Sequence, residues 1–404
     1  MFRKITVSLA CLTFSIVQPH IAAASGFDSK NRPSEIINLL QDSPIKEKLK
    51  ACLGQPLNKT DFSIGHRGAA RGYPEHTLAS YIAAAEQGAG IIECDVTFTK
   101  DKKLVCRHSQ DDLHYTTNIL ATPLASKCSK PFESASSTGK ATAECQTTDV
   151  TLAEFKSLRG KMEGANKQAQ TVSDYLDGMP SWRQNLGAPE GEEVLSHRES
   201  IELFKNLDVK FTPELKKPAV SMPYDGFSQQ DYAQKLIDEY KEAGVDPANV
   251  WPQSFQLEDI LYWIKAEPEF GKQAVYLDGR YRSGINPNDP ASFSPTMSEL
   301  KEMGVNYIAP PLWMLVTTKN GKIVPSAYAE EAKKADLKLI AWTIERSGNM
   351  VNGGGWYYKS IKSVVQSDAA IYDLLHVLAK DVGVSGVFSD WPATTTFYAN
   401  CMGY

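Results

Sequence analysis

Apolar residues recur along this chain in two alternating rhythms. Short apolar runs bounded by Gly, Pro or Asn read as strands, and longer segments with apolar positions every third or fourth residue read as helices. The pattern predicts strands over 61–65, 91–97, 103–108, 209–215, 250–255, 273–277, 306–309, 338–343 and 386–389. Helices are predicted over 34–52, 78–87, 228–243, 257–266, 296–303, 326–335 and 369–380. Thr77 caps the second of these, and Gly88 and Gly90 close it. The turn Thr99-Lys100-Asp101-Lys102 folds the second and third strands into a hairpin.

Repeated strand–helix units imply a parallel sheet with helices outside. Their number, with no Gly-rich dinucleotide turn, favours an α/β fold closed as a (β/α)8 TIM barrel over an open sheet. One stretch breaks the rhythm. Residues from about 110 to 206 are rich in Ser, Thr, Lys, Gly and Gln, too long for an ordinary loop. They read as a long insertion after the third strand, a lid or a locally disordered segment. The N-terminus has another character: Arg3 and Lys4, an apolar 5–17 and then Ala22-Ala23-Ala24 resemble a secretory signal peptide over 1–24. A single barrel domain over 25–404 is the expectation. No other apolar run is long enough for an integral membrane segment, so the product is expected to be secreted or periplasmic.

Composition narrows the partners. The 404 residues are 42% hydrophobic, enough for a full core, and the net charge of −5 offers no basic field for nucleic acid. Of seven cysteines, Cys11 lies in the leader; Cys52, Cys94, Cys106, Cys128, Cys145 and Cys401 permit three disulfides. Cys128 with Cys145 would staple a Ser/Thr/Lys-rich loop, and Cys52 with Cys401 would tie the two ends together. No Cys-x-x-Cys occurs, which speaks against a thiolate zinc site.

The chemistry collects at strand ends. Glu93 and Asp95 are two apart on a strand and share a face, with Cys94 turned the other way. Adjacent carboxylates repel unless a cation or proton lies between them. With Glu214 at the end of another strand as third ligand, an oxygen-only site suits one hard divalent cation such as Ca²⁺ or Mg²⁺. The competing reading is a salt-bridged pair near Arg67 or Arg107. His66 and His108 close the first and third strands over the same mouth. Paired imidazoles can supply the base and the acid that a phosphodiester requires. Arg67 and Lys216 offer fixed positive charge for phosphoryl oxygens or for the carboxylates.

Taken together, His66-Arg67-Gly68, Pro74-Glu75-His76-Thr77, Glu93-Cys94-Asp95-Val96, the 99–101 turn and the strand ending in His108 resemble the signature of glycerophosphodiester phosphodiesterases. Further matches are Glu214-Leu215-Lys216, Ser254-Phe255, Ala341-Trp342-Thr343 and Gly386-Val387-Phe388-Ser389-Asp390-Trp391-Pro392. The resemblance implies a (β/α)8 barrel that hydrolyses small glycerophosphodiesters to sn-glycerol 3-phosphate and an alcohol. It implies metal ligation by Glu93, Asp95 and Glu214, and catalysis by His66 and His108. Arg67, Glu75 and Lys216 would surround phosphate and glycerol, while Phe255 and Trp342 would pack on the glycerol carbons. His76 and the leader resemble the exported branch, in which calcium is usual. Where the family commonly has His-Asp, this chain has His108-Ser109, and Arg107 replaces an aliphatic residue.

The expected mechanism has one imidazole activating the neighbouring glycerol hydroxyl to give a cyclic phosphate. The other protonates the leaving alcohol, and water then opens the ring. Two other readings are a phospholipase-like head-group hydrolase on the same barrel and a non-catalytic exported binding protein. The first needs a membrane-docking surface, and no Trp/Lys-rich amphipathic helix stands out. The second would not need both His and all three carboxylates. A Ser nucleophile is disfavoured because no Gly-x-Ser-x-Gly occurs.

Overall fold

The computed structural model describes residues 31–404, so the leader expected over 1–24 lies outside the described residues. Eight parallel strands close into a barrel: β1 Thr60–Gly65, β2 Ala89–Phe98, β3 Lys210–Leu215, β4 Gln253–Ser254, β5 Val275–Leu277, β6 Tyr307–Ala309, β7 Lys338–Ile344 and β8 Gly386–Ser389. Each pairs with the next, and β8 returns to β1. The predicted strand at 103–108 is real but shorter, Leu104–Cys106, and lies outside the ring. It runs antiparallel to the tip of β2.

Strands covered on both faces need apolar residues in both directions, which is why Ile91, Ile92 and Val96 sit so close together in the wholly buried β2. Ile64, Ile91, Val275, Leu277, Ala309, Ile340 and Phe388 fill the barrel interior. The larger core lies between strands and helices. In the helix Gln229–Glu242, Tyr232, Ala233, Leu236, Ile237 and Tyr240 form the buried stripe, and Ser228 and Asp231 close a capping box at its start.

Three departures from the pattern have local causes. The helix expected over 34–52 is two, Asn31–Leu39 and Pro44–Ala51, because Pro44 lacks an N–H and Ser43 caps the second through Lys46 N. The expected insertion is shorter at its end. His197–Asn206 is a helix with a Ser196/Glu199 capping box, and its Ile201 and Phe204 pack on the barrel. The segment 310–325 carries a short helix, Leu312–Leu315, and a hairpin, Val316–Lys319 with Lys322–Pro325.

The rest of the insertion has its own small core of Leu113, Ile119, Phe155, Leu158, Tyr175 and Val194. The disulfide Cys128–Cys145 staples it, and Cys52–Cys401 joins the N-terminal helices to the C-terminal one, both as expected. The third bond, Cys94–Cys106, ties β2 to the return strand on the outer face. No helix among the described residues is long and apolar enough to cross a membrane.

Candidate active site

The mouth at the C-terminal ends of the strands holds a cavity of about 690 Å³. His66, Arg67, Glu93, Asp95, His108, Glu214, Lys216, Phe255 and Trp342 all line it. Glu75 is behind them: buried, it accepts from Arg67 Nη1 at 2.8 Å.

His66 and Arg67 leave β1 in a turn that places Arg67 at φ 57°, an uncommon backbone for a side-chain-bearing residue. The turn is held from three sides. Arg67 N–H donates to Glu93 Oε2 at 3.0 Å, and its carbonyl accepts from His76 N at 3.1 Å and from Ser80 Oγ at 3.0 Å. Replacing Glu93 would therefore disturb this loop as well as the acidic cluster.

The acidic cluster follows from strand register. Glu93 and Asp95 share a face of β2, and Asp95 sits opposite Glu214 of β3. Each offers a carboxylate oxygen within 4.8 Å of the others, and all three are buried. Burial and mutual repulsion push Glu93 well above the usual carboxylate range. Burial, with Asp95 adding to it against Lys216, brings Glu214 up to about 7. Burial opposes ionisation of Asp95 too, but Lys216 and His76 outweigh it and hold that carboxyl low. Asp95 Oδ1 is buried without a hydrogen-bond partner. Three carboxylates that cannot all ionise unaided, one with an orphaned oxygen, are a donor set that a hard divalent cation fits. Lys216 Nζ, 2.6 Å from Glu214 Oε1 and 3.9 Å from Asp95 Oδ1, neutralises only part of the charge. Of the two arginines expected near these carboxylates, Arg67 does pair, its Nε 3.5 Å from Asp95 Oδ2, whereas Arg107 donates to the carbonyls of Cys106, Glu75 and His76 and props the 75–76 loop. His76 supports the cluster from behind, with Nε2 2.9 Å from Asp95 Oδ2 and Nδ1 2.9 Å from Tyr81 OH.

His66 is tied to Asp390, just past β8, with Nδ1 2.5 Å from Oδ1. Burial raises Asp390, but Arg346 and His66 outweigh it and keep the carboxyl ionised, down to about 2. The proton of the pair thus sits on His66 Nδ1, and the lone pair on Nε2, 3.9 Å from Glu93 Oε2. Burial, assisted by Arg67 and Arg346 against Asp390, pushes His66 down to about 4, so the ring is neutral near pH 7. His108 reaches the same mouth by a different route from the other strand ends. β2 overshoots the barrel and the return strand brings the chain back, so His108 arrives from above rather than at the end of a ring strand. Its imidazole clusters with Glu75 and Asp112, ligand atoms lying within 4.8 Å of one another. Asp112 accepts the Ser109 N–H at 2.9 Å, which brings a carboxyl group of the insertion close to His108.

Phe255 and Trp342 meet edge to face, ring centroids 5.9 Å apart. Tyr281, Trp356 and Tyr357 extend this wall and were not legible from the strand pattern. Trp356 and Tyr357 lie in the irregular 345–366 segment, which presents no period. Arg346 from the same segment also lines the cavity. Asp390 follows directly on β8 in the Ser389-Asp390-Trp391-Pro392 motif, a strand-end acid beside a strand-end His.

The family model described as the glycerophosphoryl diester phosphodiesterase family matches residues 66–394. An "Extracellular protein" of Arthroderma benhamiae is 44% identical over 245 residues, covering 59% of this chain and 99% of that one. A "Glycerophosphodiester phosphodiesterase" of Haemophilus influenzae is 24% identical over 352 residues, 82% of this chain and 87% of that one. A crystal structure from Silicibacter pomeroyi DSS-3 shares the fold at a TM-score of 0.56 and 18% identity, covering 86% of this chain and 97% of that chain.

Proposed function

The chain belongs to the glycerophosphoryl diester phosphodiesterase family, and we propose that it hydrolyses glycerophosphodiesters to sn-glycerol 3-phosphate and an alcohol by histidine acid–base catalysis. It is a phosphoric diester hydrolase. One observation carries the mechanistic reading: two imidazoles, Arg67, Lys216 and a buried carboxylate triad line one cavity beside an aromatic wall.

Glu93, Asp95 and Glu214 would hold one divalent cation, Ca²⁺ in preference to Mg²⁺, because a cage of protein carboxylates suits the larger, more loosely coordinated ion. When bound, that ion supplies positive charge for the non-bridging phosphoryl oxygens. Arg67 and Lys216 bind the same oxygens and orient phosphorus. The Phe255–Trp342 wall packs on the glycerol carbons. His66, with its lone pair on Nε2, takes the proton of the neighbouring glycerol hydroxyl, which attacks phosphorus to give a five-membered cyclic phosphate. Asp390 steadies the imidazolium that forms. His108 donates to the departing alcohol oxygen. Water then opens the ring with the two roles reversed, regenerating both histidines. Burial, Arg67 and Lys216 disfavour a charged His108 in the free site; an anionic diester beside it favours protonation.

Three disulfides suit an oxidising compartment, and likeness to a protein named extracellular supports export as a secreted or periplasmic enzyme. The test is release of glycerol 3-phosphate from glycerophosphocholine, read by a coupled dehydrogenase, before and after chelation. Activity is expected to vanish on chelation and to return more fully with Ca²⁺ than with Mg²⁺. Chelator-resistant turnover would remove the metal from the mechanism, and full turnover in His66→Ala or His108→Ala would remove that histidine.

A further inference from the structure

The insertion reaches the catalytic centre through ion pairs that the barrel alone does not make. Asp390 has two oxygens to satisfy. Oδ1 takes His66, while Oδ2 takes Arg346 Nη1 at 2.9 Å and Arg183 Nη2 at 3.4 Å. Glu163 then ties both guanidiniums together, with Oε2 2.9 Å from Arg183 Nη2 and in contact with Arg346 Nη2. Arg183 and Glu163 both belong to the insertion, whereas Arg346, Asp390 and His66 belong to the barrel.

We propose that Glu163 and Arg183 are positioning residues for the reaction, holding Asp390 and through it the imidazole of His66. Arg183 does not line the cavity, so it has no direct contact to offer the substrate. Its side chain is 1% exposed, and its Nε and Nη1 make no hydrogen bond. Burying a cation with two unpartnered nitrogens is costly, and a mere fastener between insertion and barrel would be satisfied by an apolar side chain. What the charge contributes is a second donor on Asp390 Oδ2. With both guanidiniums in place the carboxylate cannot swing, and His66 keeps Nδ1–H toward it and Nε2 toward the cavity. The segment that carries Arg183 is itself pinned to the barrel, since Gln184 N donates to Arg71 O at 3.1 Å and Leu186 N to Gly72 O at 2.7 Å.

This inference rests on His66 acting as an acid–base group, and the test separates the two. Arg183→Met, Arg183→Lys and Glu163→Gln are made in the full chain and assayed on glycerophosphocholine. In Arg183→Met kcat is expected to fall about tenfold or more, with KM within about twofold of the parent. Arg183→Lys is expected to recover most of the loss, because both contacts of Arg183 leave from the single nitrogen Nη2. The downfield proton resonance of His66 Nδ1, assigned by its loss in His66→Ala, is expected to move in Arg183→Met. An unchanged kcat in Arg183→Met, or a reduced kcat with that resonance unmoved, overturns the inference. If Arg183→Met does not fold, Glu163→Gln is read by the same two criteria. An active His66→Ala removes the acid–base reading itself; an inactive one beside an unimpaired Arg183→Met removes the positioning role alone.

Discussion

Asp390→Asn keeps the shape of the side chain and removes one charge and one acceptor. The carboxylate now serves His66 Nδ1 at 2.5 Å on one oxygen and the guanidiniums of Arg346 and Arg183 on the other. A carboxamide has one oxygen for both tasks. Two cations outbid one neutral ring, so the amide oxygen turns to the arginines and its NH₂ faces Nδ1. That contact forces the imidazole proton onto Nε2, the atom that accepts the glycerol proton in the proposed mechanism. Asp390 and His66 are both buried, so water cannot restore the lost partner. Tautomer inversion and loss of the imidazolium's counter-charge together are worth about 10³–10⁴ in kcat, or about 4–5.5 kcal/mol of barrier. The assay is steady-state release of glycerol 3-phosphate, with thermal melts to establish that the variant is folded. A folded Asp390→Asn enzyme within about tenfold of the parent kcat would show that Asp390 does not set the tautomer of His66.

Three further predictions follow from the same geometry. Asp112 is pushed up to about 7 by burial, against the opposing pull of Arg107. A raised carboxyl stabilises the fold fully below its ordinary value of 3.8 and loses that contribution as pH rises through about 7, a change on the order of 4 kcal/mol. Asp112→Asn does not titrate, so its stability relative to the parent should improve from pH 5 to 8 in urea titrations; a flat difference contradicts this. Replacing Cys52 and Cys401 by Ser opens a cross-link between residues 349 apart and should cost roughly 3–5 kcal/mol in urea unfolding, whereas an unmoved midpoint would show the bond to be dispensable. Ca²⁺ at about a hundred times its dissociation constant should stabilise the parent by about 2.7 kcal/mol, seen as a rise in Tm. In Glu214→Gln that rise should be lost, and an equal rise would place the ion elsewhere.

Much of this architecture was legible because its cause is local. Two-sided burial forces apolar runs such as Ile91-Ile92, and the strands that give out at His66 and Asp390 announce the mouth, while Glu93 is marked by interrupting the apolar run inside β2. The cap at Ser196 and Glu199 is equally local, but it lies in a polar stretch that the apolar pattern does not separate from the insertion. Arg346, Trp356 and Tyr357 were not legible, since they sit in irregular backbone fixed by tertiary contacts. Arg183 and Glu163 are harder still: nothing near them in the chain marks them, and their role exists only once the insertion folds over Asp390. Ser109 illustrates the same limit. Asp112 comes close to His108 through the turn that Ser109 N–H closes on it, and the residue types alone do not reveal that contact.

If the barrel mouth cleaves a glycerophosphodiester with His66 as base, phosphorus NMR of the reaction follows every phosphorus species on the path. With glycerophosphocholine and Ca²⁺, the parent enzyme should convert the diester resonance into that of sn-glycerol 3-phosphate, with a five-membered cyclic phosphate appearing transiently. His66→Ala should leave the diester intact. A parent enzyme that leaves the diester unchanged would exclude this substrate, and a His66→Ala enzyme that consumes it at the parent rate would exclude His66 as the base.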